Sequence, residues 1–123
     1  MPNFSFVLLY VESPPDSATF YSGLLDAPIV DQSPGFAMLP LRDGVMLGLW
    51  SRSAAKPKPT GTAGAGEVAF TVADPAAVAA VHDDWSKRGL RIAQVPTKMD
   101  FGTTFVALDP DGHRLRVFAP VAP

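Results

Sequence analysis

Few side chains in this sequence are of types and spacings that could do chemistry. His82 lies in a helical stretch and is followed by two aspartates, and His113 follows the turn Asp111-Gly112. Neither histidine belongs to an HxH or HExxH motif, and the sequence has no GxSxG nucleophile turn. We therefore predict that both histidines are surface residues and that the chain has no catalytic constellation.

Composition excludes several other kinds of function. The sequence has no cysteine, which rules out disulfides and thiolate metal sites and is compatible with the cytoplasm. The 123 residues carry a net charge of -2 with no basic run, so we expect no nucleic-acid partner. No apolar run approaches the roughly 20 residues of a membrane span. We expect a cytoplasmic protein.

The elements that must position any site follow one order twice along the chain. Phe6 to Val11 predicts a strand and Ser17 to Leu25 a helix, and Glu67 to Val72 with Ala76 to Arg88 repeats that pair. Each helix is predicted to close at a glycine, Gly23 in the first and Gly89 in the second. A hairpin follows each helix, with Asp43-Gly44 and Asp111-Gly112 as the turns.

A segment rich in proline, glycine and alanine, Ser53 to Gly66, separates the two halves and suits a connector. It lacks the GxxxxGK[ST] spacing of a phosphate-binding loop. The sequence thus predicts a single domain made of two modules, about 1–52 and 66–120.

Alternation along the strands assigns two faces to each predicted sheet, because side chains two apart share a side. Val7, Leu9 and Val11, with Leu47 and Leu49, should pack under the helices. The opposite face has the mixed aromatic, small and charged character of a ligand surface. Its predicted residues are Phe6, Leu8, Met46, Gly48, Trp50, Glu67, Ala69, Thr71, Arg114, Arg116 and Phe118.

Two βαβββ units in one chain, with Phe20-Tyr21 in the first helix, the strand GEVAFTV and the run LDPDGHRLRVF, resemble the glyoxalase, bleomycin-resistance and dioxygenase superfamily, also called vicinal oxygen chelate. The resemblance spans nearly the whole chain. It implies an α+β fold in which two βαβββ modules form a curled mixed-sheet cup.

The resemblance also locates the family's metal ligands. The first-strand positions fall on Phe6 and Glu67, and the last-strand positions fall on Gly48 and Arg116. One oxygen ligand is retained, and a guanidinium among the donors is unfavourable for a transition metal. We therefore expect no metal and no other cofactor.

LGLWSR (47–52) and TKMDFGTTFVALDPDGHRLRVFAP (97–120) are similar to the branch of phenazine-antibiotic resistance proteins. This similarity implies a homodimer that binds a planar aromatic antibiotic and withholds it without turnover, so we expect a binding protein rather than an enzyme. The alternatives are a lyase, isomerase or dioxygenase of the same superfamily with an atypical site, or a non-catalytic partner module with a vestigial cup.

Trp50 is the leading candidate for stacking on a flat ligand, because Gly48 beside it leaves room above the sheet. Arg116 and Glu67 have two open interpretations: they pair with each other, or Arg116 binds a ligand carboxylate. Trp85, at helical spacing from Val78 and Val81, is predicted to be a core residue. The remaining candidates are wall, floor and rim residues that could equally be core residues: Phe6, Phe36, Met46, Met99, Phe101 and, more weakly, Ser51.

Overall fold

A computed structural model describes residues 1–121 of the chain. The chain divides into two compact units, Met1–Gly61 and Thr62–Pro123. The boundary lies inside the predicted connector, whose residues 53–66 form no helix or strand. Across residues 1–121, neither helix is long and apolar enough to cross a membrane.

Unit 1 has a four-stranded mixed sheet and one helix. The strands follow the order β1-β4-β3-β2, in which β1 and β4 are parallel and the other pairs antiparallel. A parallel pair needs a long crossover, which here contains the helix and a hairpin. The elements are β1 (Phe6–Val11), α1 (Pro14–Leu25), β2 (Asp31–Gln32), β3 (Phe36–Arg42) and β4 (Val45–Ser51).

Unit 2 repeats this architecture. Its sheet has the order β5-β8-β7-β6, and again the first pair is parallel and the others antiparallel. The predicted α+β fold of two βαβββ modules is confirmed. The elements are β5 (Glu67–Thr71), α2 (Pro75–Lys87), β6 (Arg91–Met99), β7 (Gly102–Leu108) and β8 (Arg114–Pro120).

The start of α1 and the residue that caps its C-terminus differ from the prediction. The Ser13 hydroxyl accepts a hydrogen bond from the Asp16 amide at 3.3 Å, and Pro14 opens the helix, so it starts three residues before Ser17. Gly23 lies inside α1 and does not end it. The helix ends at Leu25, as predicted, and the next residue, Asp26, caps it with a left-handed φ of 51°, a conformation that is rare outside glycine. In contrast, Gly89 follows α2 with a φ of 88°, as predicted.

The core of each unit lies between its helix and one face of its sheet. In unit 1, Leu47 and Leu49 of β4 are fully buried, as the alternation predicts. In unit 2, the Phe105 ring lies edge-on to Trp85 at 5.5 Å, which confirms Trp85 as a core residue. The His82 ring lies 5.3 Å from Phe105 and is half-buried, so one part of the imidazole packs on the core and another part faces solvent.

Candidate functional site

An apolar pocket of about 380 Å³ lies within unit 1. Four side chains line it, Phe6, Leu8, Phe36 and Trp50, and its surface is almost entirely carbon. Phe6 and Leu8 are 40% and 42% exposed, so the pocket opens to solvent. Ligand pockets of roughly 300 to 1,000 Å³ with aromatic walls are typical of small-molecule sites.

Strand register brings these four side chains together. The parallel pairing of β1 with β4 places Leu8 opposite Gly48. The antiparallel pairing of β3 with β4 places Phe36 opposite Trp50. Since residues two apart on a strand share a face, Phe6 lies on the same side as Leu8. This is the face opposite the buried leucines of β4.

Trp50 has aromatic neighbours on both adjacent strands. Phe36 is its partner on β3 and Tyr10 its partner on β1. The Tyr10 and Trp50 ring centroids are 6.3 Å apart, with the planes tilted by 39°. Tilted and edge-on arrangements are favourable for aromatic pairs, so the indole is held by its neighbours while part of its surface faces the pocket.

The sequence predicted open space above Gly48, but Leu8 and Phe36 fill this space. A Cβ built on Gly48 would collide with Cδ2 of Leu8 and would lie 3.2 and 3.3 Å from two ring carbons of Phe36. The glycine therefore lets Leu8 and Phe36 close over the strand and form the pocket floor. Leu8 was placed on this face by alternation but was not selected as a ligand residue.

The second group of predicted site residues lies in unit 2 and forms a polar network. The Arg116 guanidinium donates to both carboxylate oxygens of Glu67, with Nε to Oε2 at 2.7 Å and Nη2 to Oε1 at 2.9 Å. Its Nη1 donates to Thr104 Oγ1 at 3.0 Å and to Gln94 Oε1 at 3.3 Å. Of the two interpretations, the structure has the Glu67–Arg116 pair.

Phe101 borders this network. Its ring lies 5.7 Å from the Arg116 guanidinium carbon and packs edge-on against Phe118 at 6.1 Å. Phe101 is 43% exposed, so one part of the ring contacts the cation and another faces solvent. The bidentate pair and the ring together brace β5, β8 and the loop before β7.

Hydrogen bonding from Arg116 holds the pKa of Glu67 below its ordinary value, and this effect exceeds the opposing effect of burial. The same bond raises the pKa of Arg116 above its already high value. The Glu67 side chain is 27% exposed and that of Arg116 is 17% exposed. Both groups are therefore ionised at neutral pH, and both carboxylate oxygens of Glu67 accept hydrogen bonds from Arg116.

This pair predicts an acid dependence of stability. A carboxylate whose pKa is lower in the folded protein stabilises the fold above its unfolded pKa, and that stabilisation is lost as pH falls through the folded pKa. Between about pH 5 and pH 3, the free energy of unfolding should fall by on the order of 1 kcal/mol more in the wild type than in Glu67→Gln. Urea unfolding followed by circular dichroism at each pH measures this difference.

Asp83→Asn is the matched control, because Asp83 pairs with Lys87 at 2.9 Å on an exposed face of α2. Asp83→Asn should change the acid dependence of the free energy of unfolding much less than Glu67→Gln does. Equal acid dependence in the wild type and Glu67→Gln would contradict a stabilising role for the Glu67–Arg116 pair.

The other predicted site residues are not among the four that line the pocket. Met46 is opposite Phe6 and half-buried on the pocket face. Met99 is in unit 2, exposed at the end of β6, and its sulfur accepts from Gln94 Nε2 at 3.5 Å. Ser51 is buried on the side of Leu49, and its Oγ lies 2.9 Å from Ser53 Oγ. Of the predicted residues, Phe6, Phe36 and Trp50 line the pocket.

The residues at the family's metal positions do not fit a metal. Phe6 and Gly48 have no donor side chain, and Glu67 is bound on both oxygens by Arg116. Across residues 1–121, no three side chains of His, Cys, Asp or Glu are grouped so that they could hold a metal ion. We therefore assign no metal-dependent step to these residues.

Comparison with solved structures shows the same fold in several proteins. A solution NMR structure of a protein from Agrobacterium tumefaciens is 45% identical, with a TM-score of 0.89 and coverage of 99% of this chain and 100% of that one. A glyoxalase/bleomycin resistance protein/dioxygenase from Nocardioides is 21% identical, with a TM-score of 0.81 over 98% of this chain and 85% of that one. A lactoylglutathione lyase from Agrobacterium tumefaciens is 17% identical, with a TM-score of 0.75 over 97% and 94%.

No curated protein matches the sequence. A family model, however, matches residues 3–117, which include every strand and helix described above except the last three residues of β8. The two repeated units and the strand order agree with this match. The chain belongs to the Glyoxalase/Bleomycin resistance protein/Dioxygenase superfamily.

Proposed function

We propose that the protein binds a planar aromatic antibiotic of the phenazine type and withholds it from the cell without turnover. The observation that carries this proposal is the pocket of unit 1, with three aromatic side chains around one opening. A flat ring system can stack on Trp50 and contact Phe36 and Phe6 at its edges. Each aromatic contact contributes about 0.5 to 1.5 kcal/mol beyond the area buried.

Two further features support binding over catalysis. The similarity to phenazine-antibiotic resistance proteins includes LGLWSR, the segment that ends β4 and contains Trp50. Glu67, which was the direct support for a lyase, isomerase or dioxygenase, is held by Arg116. The likeness to a lactoylglutathione lyase, at 17% identity, is one of fold.

The proposal includes a cytoplasmic homodimer. Each sheet has two terminal strands, β1 and β2 in unit 1 and β5 and β6 in unit 2. Terminal strands need a cover to avoid open-ended pairing, which a second copy of the chain can supply. A cysteine-free chain is compatible with the reducing cytoplasm, where the antibiotic would have to be captured.

Direct titration with phenazine tests the proposal. Trp85→Phe removes the second tryptophan while keeping an aromatic ring against Phe105, so the remaining emission comes from Trp50. We expect saturable quenching of this emission and a rise in Tm with phenazine concentration, since a ligand of the native state stabilises it. Absence of both effects at the solubility limit of phenazine would contradict the proposal.

A further inference from the structure

We infer that the pocket of unit 1 selects uncharged planar aromatic compounds over anionic ones, including carboxylated members of the same compound class. This inference rests on the proposed function and deepens it. From the sequence, Arg116 offered a partner for a ligand carboxylate. The structure removes that partner and leaves a pocket whose lining carries no charge.

The pocket lining has too few hydrogen-bond donors to replace the water around an ionised carboxylate. Three of the four lining residues are hydrocarbon side chains, and the fourth, Trp50, has a single N–H donor. A carboxylate transferred from water into apolar surroundings without a cationic or multiple hydrogen-bonding partner is strongly penalised. A ring system without charge loses little hydration on entry and gains the aromatic contacts.

The basic side chains of unit 1 do not compensate. Arg52 follows the strand that carries Trp50, but its Nη2 donates to the Gly61 carbonyl at 2.8 Å and it is not part of the pocket lining. The other basic residues of this unit are Arg42, Lys56 and Lys58, and none of them lines the pocket. The pocket lining of unit 1 therefore supplies no cation for a ligand anion.

Leu8 is the residue through which this selectivity can be changed. It closes over Gly48 at the pocket floor, and its side chain is 42% exposed, so a longer polar side chain at this position can reach water. Leu8→Lys would put an ammonium group at the pocket without creating a fully buried charge. Leu8→Gln is its matched uncharged control.

The experiment compares phenazine with phenazine-1-carboxylate at about pH 8, where the carboxyl group is ionised. Isothermal titration calorimetry on the full chain gives both dissociation constants. We expect phenazine to bind at least about tenfold more tightly to the wild type. The ratio of the two dissociation constants should fall by at least about fivefold in Leu8→Lys and should stay unchanged in Leu8→Gln. The fall in Leu8→Lys should be larger at low salt than at high salt, because salt screens the attraction between the two charges.

The outcomes separate the two proposals. If neither compound binds the wild type, the proposed function fails and the selectivity falls with it. If both bind and the carboxylate binds as tightly or more tightly, the proposed function stands and the selectivity is overturned. A wild-type preference that Leu8→Lys leaves unchanged would overturn the assignment of selectivity to this pocket.

Discussion

Replacing Trp50 with alanine is expected to weaken phenazine binding at least about tenfold, which corresponds to about 1.4 kcal/mol. The indole is the largest aromatic surface of the pocket, and the substitution removes it while leaving Leu47 and Leu49 packed on the opposite face of β4. Trp50 is half-buried, so the loss of stability should be smaller than for a core tryptophan. Calorimetric titration of the folded variant measures the affinity.

Trp50→Phe is the matched variant, because it keeps an aromatic face at the same register position opposite Phe36. It should recover part of the lost affinity. Two results would contradict the prediction. A Trp50→Ala protein that is folded and binds with unchanged affinity removes Trp50 from the site, and one that does not fold makes Trp50 a core residue.

Replacing Phe105 with alanine is expected to lower the free energy of unfolding by about 3 to 5 kcal/mol. Phe105 is fully buried in unit 2 and forms edge-on contacts with Trp85 and His82. Its removal leaves a cavity between α2 and β7 that these two rings cannot fill without leaving their own positions. Equilibrium unfolding in urea, monitored by circular dichroism, measures the loss.

Phe101→Ala provides the matched control within the same unit. This phenylalanine is 43% exposed, lies in the loop before β7 and contacts Arg116 and Phe118 of β8. Its removal should lower the free energy of unfolding by about 1 kcal/mol or less, since the folded protein buries only part of this ring. Similar losses for Phe105→Ala and Phe101→Ala would contradict the assignment of Phe105 to the core.

Substitutions in the two units should separate effects on stability from effects on binding. Phe105 and the Glu67–Arg116 pair belong to unit 2, whereas the proposed ligand contacts belong to unit 1. The Glu67–Arg116 ion pair links β5 to β8, whereas the pocket lining is aromatic and uncharged. Stability should therefore respond to acid through Glu67, whereas the proposed affinity should respond to the charge of the ligand.

Sequence periodicity predicted the repeated order of elements and the faces of the strands, and the resemblance to a known superfamily implied how the elements assemble. Alternation along β1 and β4 placed Leu47 and Leu49 in the core and Trp50 on the other face, because a strand has a strict two-residue period. The repeat of strand, helix and hairpin predicted both units. The cap of α1 was predicted less well. The left-handed residue after the helix is Asp26 and not Gly23, because side-chain identity only biases this backbone conformation.

The sequence by itself determined which residues share a face and which tryptophan is buried. Only the tertiary structure decided which of those residues meet. Register put Leu8 over Gly48 and Phe36 beside Trp50, and it brought Glu67 to Arg116, 49 positions away along the chain. The physical reason is that alternation is a local property of one strand, whereas a contact across strands depends on hydrogen-bond register and side-chain direction, which residue spacing along the chain does not encode.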